Sequence, residues 1–362
     1  MVGVLALGLG FVFSYVGAFH HPVPHRVAIA VVAPAGDSRS LVERLDALRG
    51  APLRARPAAS AAAARGLLRA DRVAAALLVD PRGRKDRLLV AGGGGAALST
   101  AVQAVVTRSD AARHRVVATT DIVPLQSGDY RGLTGFYLVV GCLVAGYLLA
   151  AIFGITLGPR AATVGQAAGR LLAIVPYSLA VGVGAALIVG PLLGALTGHF
   201  AAVAGVGALL TFAAGAVTVA LESLLGMVGI GLAILVFVVL GNPSAGGAYQ
   251  NALLPGFWRA IGDGLPNGAG VDAIRRAVYF GGHGIAERLI VIAAYGIAAA
   301  GITLVLGRLR RPRTEDVRGD ARQTPSPGRV RVATQLSPPS LRIVGLSRPR
   351  RRMRPRSSNA PE

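Results

Sequence analysis

The chain has 362 residues, 53% hydrophobic and 15% charged, with a mean hydropathy of +0.56 and a formal net charge of +21. A soluble domain carries about 25% charged residues, so composition excludes an ordinary water-soluble globule. The single cysteine, Cys142, excludes an intramolecular disulfide and a cysteine metal cluster.

In chain order, the first element is an apolar stretch from Val2 to Phe19, residues 1–19 being read as an uncleaved first transmembrane helix. Val16-Gly17-Ala18 would suit a signal peptidase, but no basic segment precedes it and the apolar run continues almost to that point. Translation could also start upstream of Met1. Pro22 and Pro24 stop the helix. His20, His21 and His25 cluster there, and two of the rings could meet on a metal. No carboxylate lies close in sequence, so an interfacial segment without metal is expected.

Residues 20–133 form the one large polar block and are read as a small extracytoplasmic α/β domain. Val27 to Ala33 is a β-branched run that predicts a strand. Ser38 to Leu48 has helical spacing, and a second helix is expected near 60–69. Val73 to Val79 predicts a strand, Pro81-Arg-Gly83 a turn, and Arg87 to Ala91 a return strand. Gly92–Gly95 reads as a flexible loop before a helix at 96–112. Val116 to Ile122 predicts the last strand.

Residues 134–307 hold five more spans, near 134–156, 171–193, 201–220, 224–241 and 285–307, with an external amphipathic loop at 242–284. The fold class is thus a polytopic α-helical membrane protein with six transmembrane helices and an α/β domain between the first two. Loop 158–170 carries Arg160 and Arg170 and no acid. The tail, 308–362, carries 15 arginines against four acids. The positive-inside rule places both in the cytoplasm, which puts both termini inside and 20–133 outside. Within loop 242–284, Phe257, Trp258, Tyr279 and Phe280 suit a membrane interface, and Ala269 to Phe280 is expected to be an interfacial helix. The tail is rich in Pro, Ser and Arg and is expected to be disordered. It follows a span directly, so its charge is read as serving topology and anionic lipid rather than nucleic acid.

Two stretches resemble the type-2 ABC exporter permeases, in particular their phage-infection-protein-like branch. One is Ala64-Arg-Gly-Leu-Leu-Arg-Ala-Asp-Arg-Val-Ala-Ala-Ala-Leu-Leu-Val-Asp-Pro81. The other runs from Gly241-Asn-Pro-Ser-Ala-Gly-Gly247 through Leu254-Pro255, Phe257-Trp258 and Leu265-Pro266 to Gly268-Ala-Gly270. The resemblance implies a plasma-membrane export subunit for hydrophobic or amphipathic compounds or envelope components. It would be powered by a separate ATPase and work as a homo- or heterodimer among membrane lipids. Such exporters place a cytoplasmic amphipathic helix before the first span, whereas this chain begins inside it; loop 157–170 is left as the docking site. The alternative is a non-transporting envelope scaffold or receptor whose external domain binds a partner.

Chemical signatures are few. The only lysine, Lys85, follows Arg82-Gly83-Arg84, and no lysine follows Gly92–Gly95, so the chain has no P-loop. With no Ser/His/Asp set or paired carboxylate apparent, the chain is read as no enzyme, without cofactor or metal. Glu222 is the sole acid between residues 130 and 262. It is read either as a water-exposed turn residue, Glu222-Ser223, or as a buried gating or relay group. Trp258, Arg275 and Arg276 are the candidate external-loop contacts. With Asp272, Glu287 and Arg288, the two arginines either guide an anionic substrate or snorkel at the interface. The frequent glycines within the spans are read as packing positions.

Overall fold

Side-chain alternation sets the sheet. Val27, Ile29 and Val31 line one face of β1 (Val27–Val32) and the smaller Ala28 and Ala30 the other. In the computed structural model, which describes residues 1–310, four strands join it: β2 (Leu53–Pro57), β3 (Ala75–Leu78), β4 (Lys85–Val90) and β5 (Val116–Asp121). The order is β2-β1-β3-β4-β5, and only β3–β4, the hairpin across Pro81-Arg82-Gly83, is antiparallel. β2 was not expected. It is a short strand at the sheet edge whose inward Leu53 and Ala55 alternate with arginines, a pattern that hides a strand and protects an edge.

The bulky face packs on α2 (Ala35–Asp46) and α4 (Ala96–Ala111) through Leu41, Leu45, Val102 and Val106. The alanine face admits α3 (Ala61–Arg69) through Ala64 and Leu68. Ser60 starts α3 by accepting the Ala63 N–H at 3.1 Å. Ile29, Leu45, Leu77 and Leu88 are fully buried, each stabilising the domain by roughly 1.5–3 kcal/mol.

Five helices are long and apolar enough to cross a membrane: α1 (Val2–Phe19), α5 (Thr134–Leu157), α6 (Val164–Leu192), α7 (Phe200–Leu225) and one that begins at Ile285. The chain is a helical membrane protein. The stretch expected to cross at 224–241 departs from that expectation. α7 continues to Leu225, Gly226 turns the chain with φ at 66°, and α8 (Val228–Ser244) has 17 residues. At 1.5 Å per residue α8 is about 25 Å long, against a hydrocarbon core of about 30 Å. Two short helices follow, α9 (Gly256–Gly262) and α10 (Pro266–Tyr279), before α11 (Ile285–Leu309). α10 is not interfacial as expected. Ala269, Val271, Ala273, Ile274 and Val278 bury it in the main membrane-side core.

Close approaches give the helix directions. A Cβ on Gly146 would stand 2.3 Å from the Thr211 carbonyl, and one on Gly154 2.4 Å from Glu222, so α5 and α7 run parallel. Gly182 meets Ala204 while Ile174 meets Gly215, so α6 is antiparallel to α7. Gly296 meets Phe212, and Arg310 donates to the Ser223 carbonyl, so α11 follows α7. Gly229 packs on Leu221, which folds α8 back along α7. Leu7 meets Gly231, Gly10 meets Val239, and the Ser14 hydroxyl donates to the Val239 carbonyl, so α1 runs with α8. Direction therefore alternates along the chain. The α/β domain and segment 245–284 emerge at one end; Arg160, Arg170 and Arg310 gather at the other. Residues 311–362, and with them the expectation of a disordered tail, lie outside the described residues.

Candidate functional site

At the arginine-bearing end, α7 carries Glu222 inward. Its relative exposure is 0%, and among the described residues neither carboxylate oxygen has a hydrogen-bond partner. The carboxylate rests on Gly154 of α5, where any side chain would collide with it, and Gly229 of α8 abuts its backbone. The exposed-turn reading is corrected: the turn lies at Gly226, a full helical turn later. Arg170 of α6 is the charge acting on Glu222. It is itself 6% exposed, and its guanidinium donates to the Leu157 and Gly158 carbonyls at 3.1 and 2.8 Å, while its second terminal nitrogen has no partner among the described residues. A cleft of about 370 Å³ lined by Phe153, Leu157, Gln166 and Arg170 opens beside it. The arrangement is a carboxyl group and a guanidinium buried in one helix bundle, close enough for their charges to interact, with no ion pair between them among the described residues. The carboxyl group can exchange a proton or hold a cation, and the guanidinium can hold an anion.

At the opposite end the α/β domain meets segment 245–284. Gly92–Gly95 is not a free loop. A Cβ on Gly93 would lie 2.7 Å from the Tyr279 ring, one on Gly95 2.1 Å from Gln250, and Gly94 faces Phe280. Asp121 holds the run by accepting the Gly92 N–H at 3.1 Å, and Gln250 accepts the Leu98 N–H at 3.0 Å. The Tyr279 hydroxyl donates to Asp129 at 2.5 Å, and Asp129 also accepts the Thr134 N–H that starts α5. Burial and the Asp129 carboxylate push the Tyr279 hydroxyl up, so it stays a donor.

A chain of ion pairs closes the same junction. Arg276 meets Asp71 of the domain at 2.8 Å and Asp272 at 2.9 Å, and Arg288 meets Asp272 at 2.7 Å. Burial raises Asp71 to about 6 despite Arg276 beside it. Arg275 donates to the Gly246 carbonyl at 3.1 Å. Both arginines thus serve internal partners rather than snorkelling or facing a solute. Trp258 is buried against Ala18 at the end of α1. His20 bonds its ring to the Val16 carbonyl at 3.0 Å, and no cluster of three metal-ligating side chains exists among the described residues.

Three features escaped the sequence reading: the Arg170–Glu222 juxtaposition, the Asp71–Arg276 tie, and a buried carboxyl pair, Asp86 and Asp110, both 0% exposed. Each joins residues far apart in the chain, and only the polar character of Asp71 and Asp110 near apolar runs hinted at them. Burial and the neighbouring Asp86 charge raise Asp110 to about 6. For Asp86 burial acts in the same sense, but hydrogen bonds from Arg115 and the Asp80 N–H outweigh it and hold that carboxylate low. Neither a family model, nor a curated protein, nor a solved structure matches this chain.

Proposed function

We propose that the chain is the membrane permease-like subunit of an export system for hydrophobic or amphipathic compounds or envelope components, driven by a separate ATPase and working as a dimer. The observation that carries this reading is Glu222, buried in the bundle near Arg170 and without a hydrogen-bond partner among the described residues. A protein that only anchors itself has little use for an unsatisfied acid buried among membrane helices, where such groups are costly and mark pathways or relays. Helix direction adds support: with α8 counted as a crossing, the six helices alternate, which suits an α/β domain and a segment 245–284 on the same side of the membrane. Arg160, Arg170, Arg308 and Arg310 on the other side favour the cytoplasm there. The exposed loop around Arg160 would seat the ATPase, and the plasma membrane is the compartment this topology suits.

The test is reconstitution with the ATPase that co-purifies with the full chain. ATP hydrolysis stimulated by an amphipathic compound, and lost in Glu222→Gln with insertion normal, is the expected result. Failure to recover any ATPase, with Glu222→Gln indistinguishable from the parent, would favour the scaffold reading instead.

A further inference from the structure

A second site lies on the α/β domain, far from Glu222. A cleft of about 610 Å³ runs between the C-terminal ends of α2 and α4 and the strap that leaves α1. Val23, Pro24, Leu48 and Val105 give it an apolar floor, His25, Arg49 and Arg108 stand on its rim, and no acid lines it. Arg49 and Arg108 are exposed, and neither forms an ion pair among the described residues. Burial, then the charge of Arg259, lowers the His25 pKa, so His25 is a neutral hydrogen-bonding group at neutral pH.

The height of the cleft is set by its neighbours. Trp258 packs on Ala18 at the end of α1, and the exposed Phe257 lies beside it, an aromatic pair of the kind that marks a membrane–water boundary. Arg259 follows directly. The strap is pinned to the same segment, Val23 N–H to the Leu253 carbonyl at 3.2 Å and His25 N–H to the Ala252 carbonyl at 2.8 Å. Even fully extended, the six steps from Phe19 to His25 cover only about 20 Å. The strap therefore keeps the cleft within about 20 Å of the end of α1, within reach of the lipid headgroups.

From this we infer that the cleft binds the phosphate headgroup of an anionic glycerophospholipid from the adjoining leaflet. The glycerol and upper acyl carbons lie on the apolar floor, and Arg49 and Arg108 hold the phosphate. This holds whichever side of the membrane the domain occupies and whether or not the chain transports anything.

The probe is radiolabelled dioleoyl phosphatidylglycerol, titrated in neutral detergent against the purified full chain. Saturable binding, at least tenfold weaker in Arg49→Ala/Arg108→Ala and within threefold of the parent in Arg49→Lys/Arg108→Lys, is expected. Arg351→Ala/Arg352→Ala, in the basic tail, should leave the saturable component intact. Emission from the sole tryptophan, Trp258, reports whether each variant is folded. In the unaltered chain, excess unlabelled phosphatidylglycerol should displace the probe, and phosphatidylcholine should not. Equal displacement by phosphatidylcholine would overturn the inference. So would full displacement by inorganic phosphate at the same concentration, or a loss in the tail variant equal to that in the cleft variant.

Discussion

Asp110 sits where a carboxylate is least welcome, fully buried against the low-pKa Asp86, and it holds its proton up to about pH 6. Unfolded, it would release that proton near the ordinary aspartate value of 3.8. The native state therefore binds more protons between these values, and stability falls as pH rises from about 4 to about 6. Two pKa units correspond to a loss on the order of 2 kcal/mol. Asp110→Asn should accordingly raise the unfolding temperature at pH 7.5, with the gain shrinking towards pH 4; a variant less stable than its parent at pH 7.5 would refute this. The glycine run is a second residue-scale matter. Tyr279 cannot swing clear of a new methyl at Gly93 while its hydroxyl is held by Asp129. Gly93→Ala should cost about 1–3 kcal/mol, read as a lower unfolding temperature and faster proteolysis within 245–284. The sequence displayed these glycines plainly but not their purpose, because the side chains that press on Gly93, Gly94 and Gly95 come from Tyr279, Phe280 and Gln250, more than 150 positions away.

At the level of elements, hydropathy located the helices well and their ends poorly. The run Leu224-Leu225-Gly226-Met227-Val228 is apolar throughout, so nothing polar announced that a turn lies inside it. Glu222, the one polar landmark nearby, attracted the turn to itself, and its burial went unseen for that reason. The sheet was more legible, because β1, β3 and β4 carry consecutive apolar residues between turn residues, while arginine-rich β2 does not. The pairing of α1 with α8 was illegible altogether, since both faces of α1 are apolar. It is readily checked. In a Cys142→Ser background, Gly10→Cys with Val239→Cys should cross-link on mild oxidation, and Gly10→Cys with Gly231→Cys should not, since Gly231 faces Leu7. The reverse pattern would refute this pairing of α1 with α8.

For the whole molecule, the end-to-end division of charge predicts topology. A reporter fused after Arg160 should read cytoplasm and one at Asp80 the opposite side; both reading cytoplasm would refute the alternating arrangement. The same division leaves α1 in an unusual position during synthesis. It is made well before its main partner α8, which begins at Val228, and most of its surface faces outward. At roughly 5–20 residues per second a ribosome needs on the order of 10–40 s to reach that partner. Throughout that interval α1 must hold its place in the lipid unaided, with the Ser14 hydroxyl still lacking the Val239 carbonyl. Its largely apolar surface is what such a wait demands, and the pairing joins two helices made about 200 residues apart.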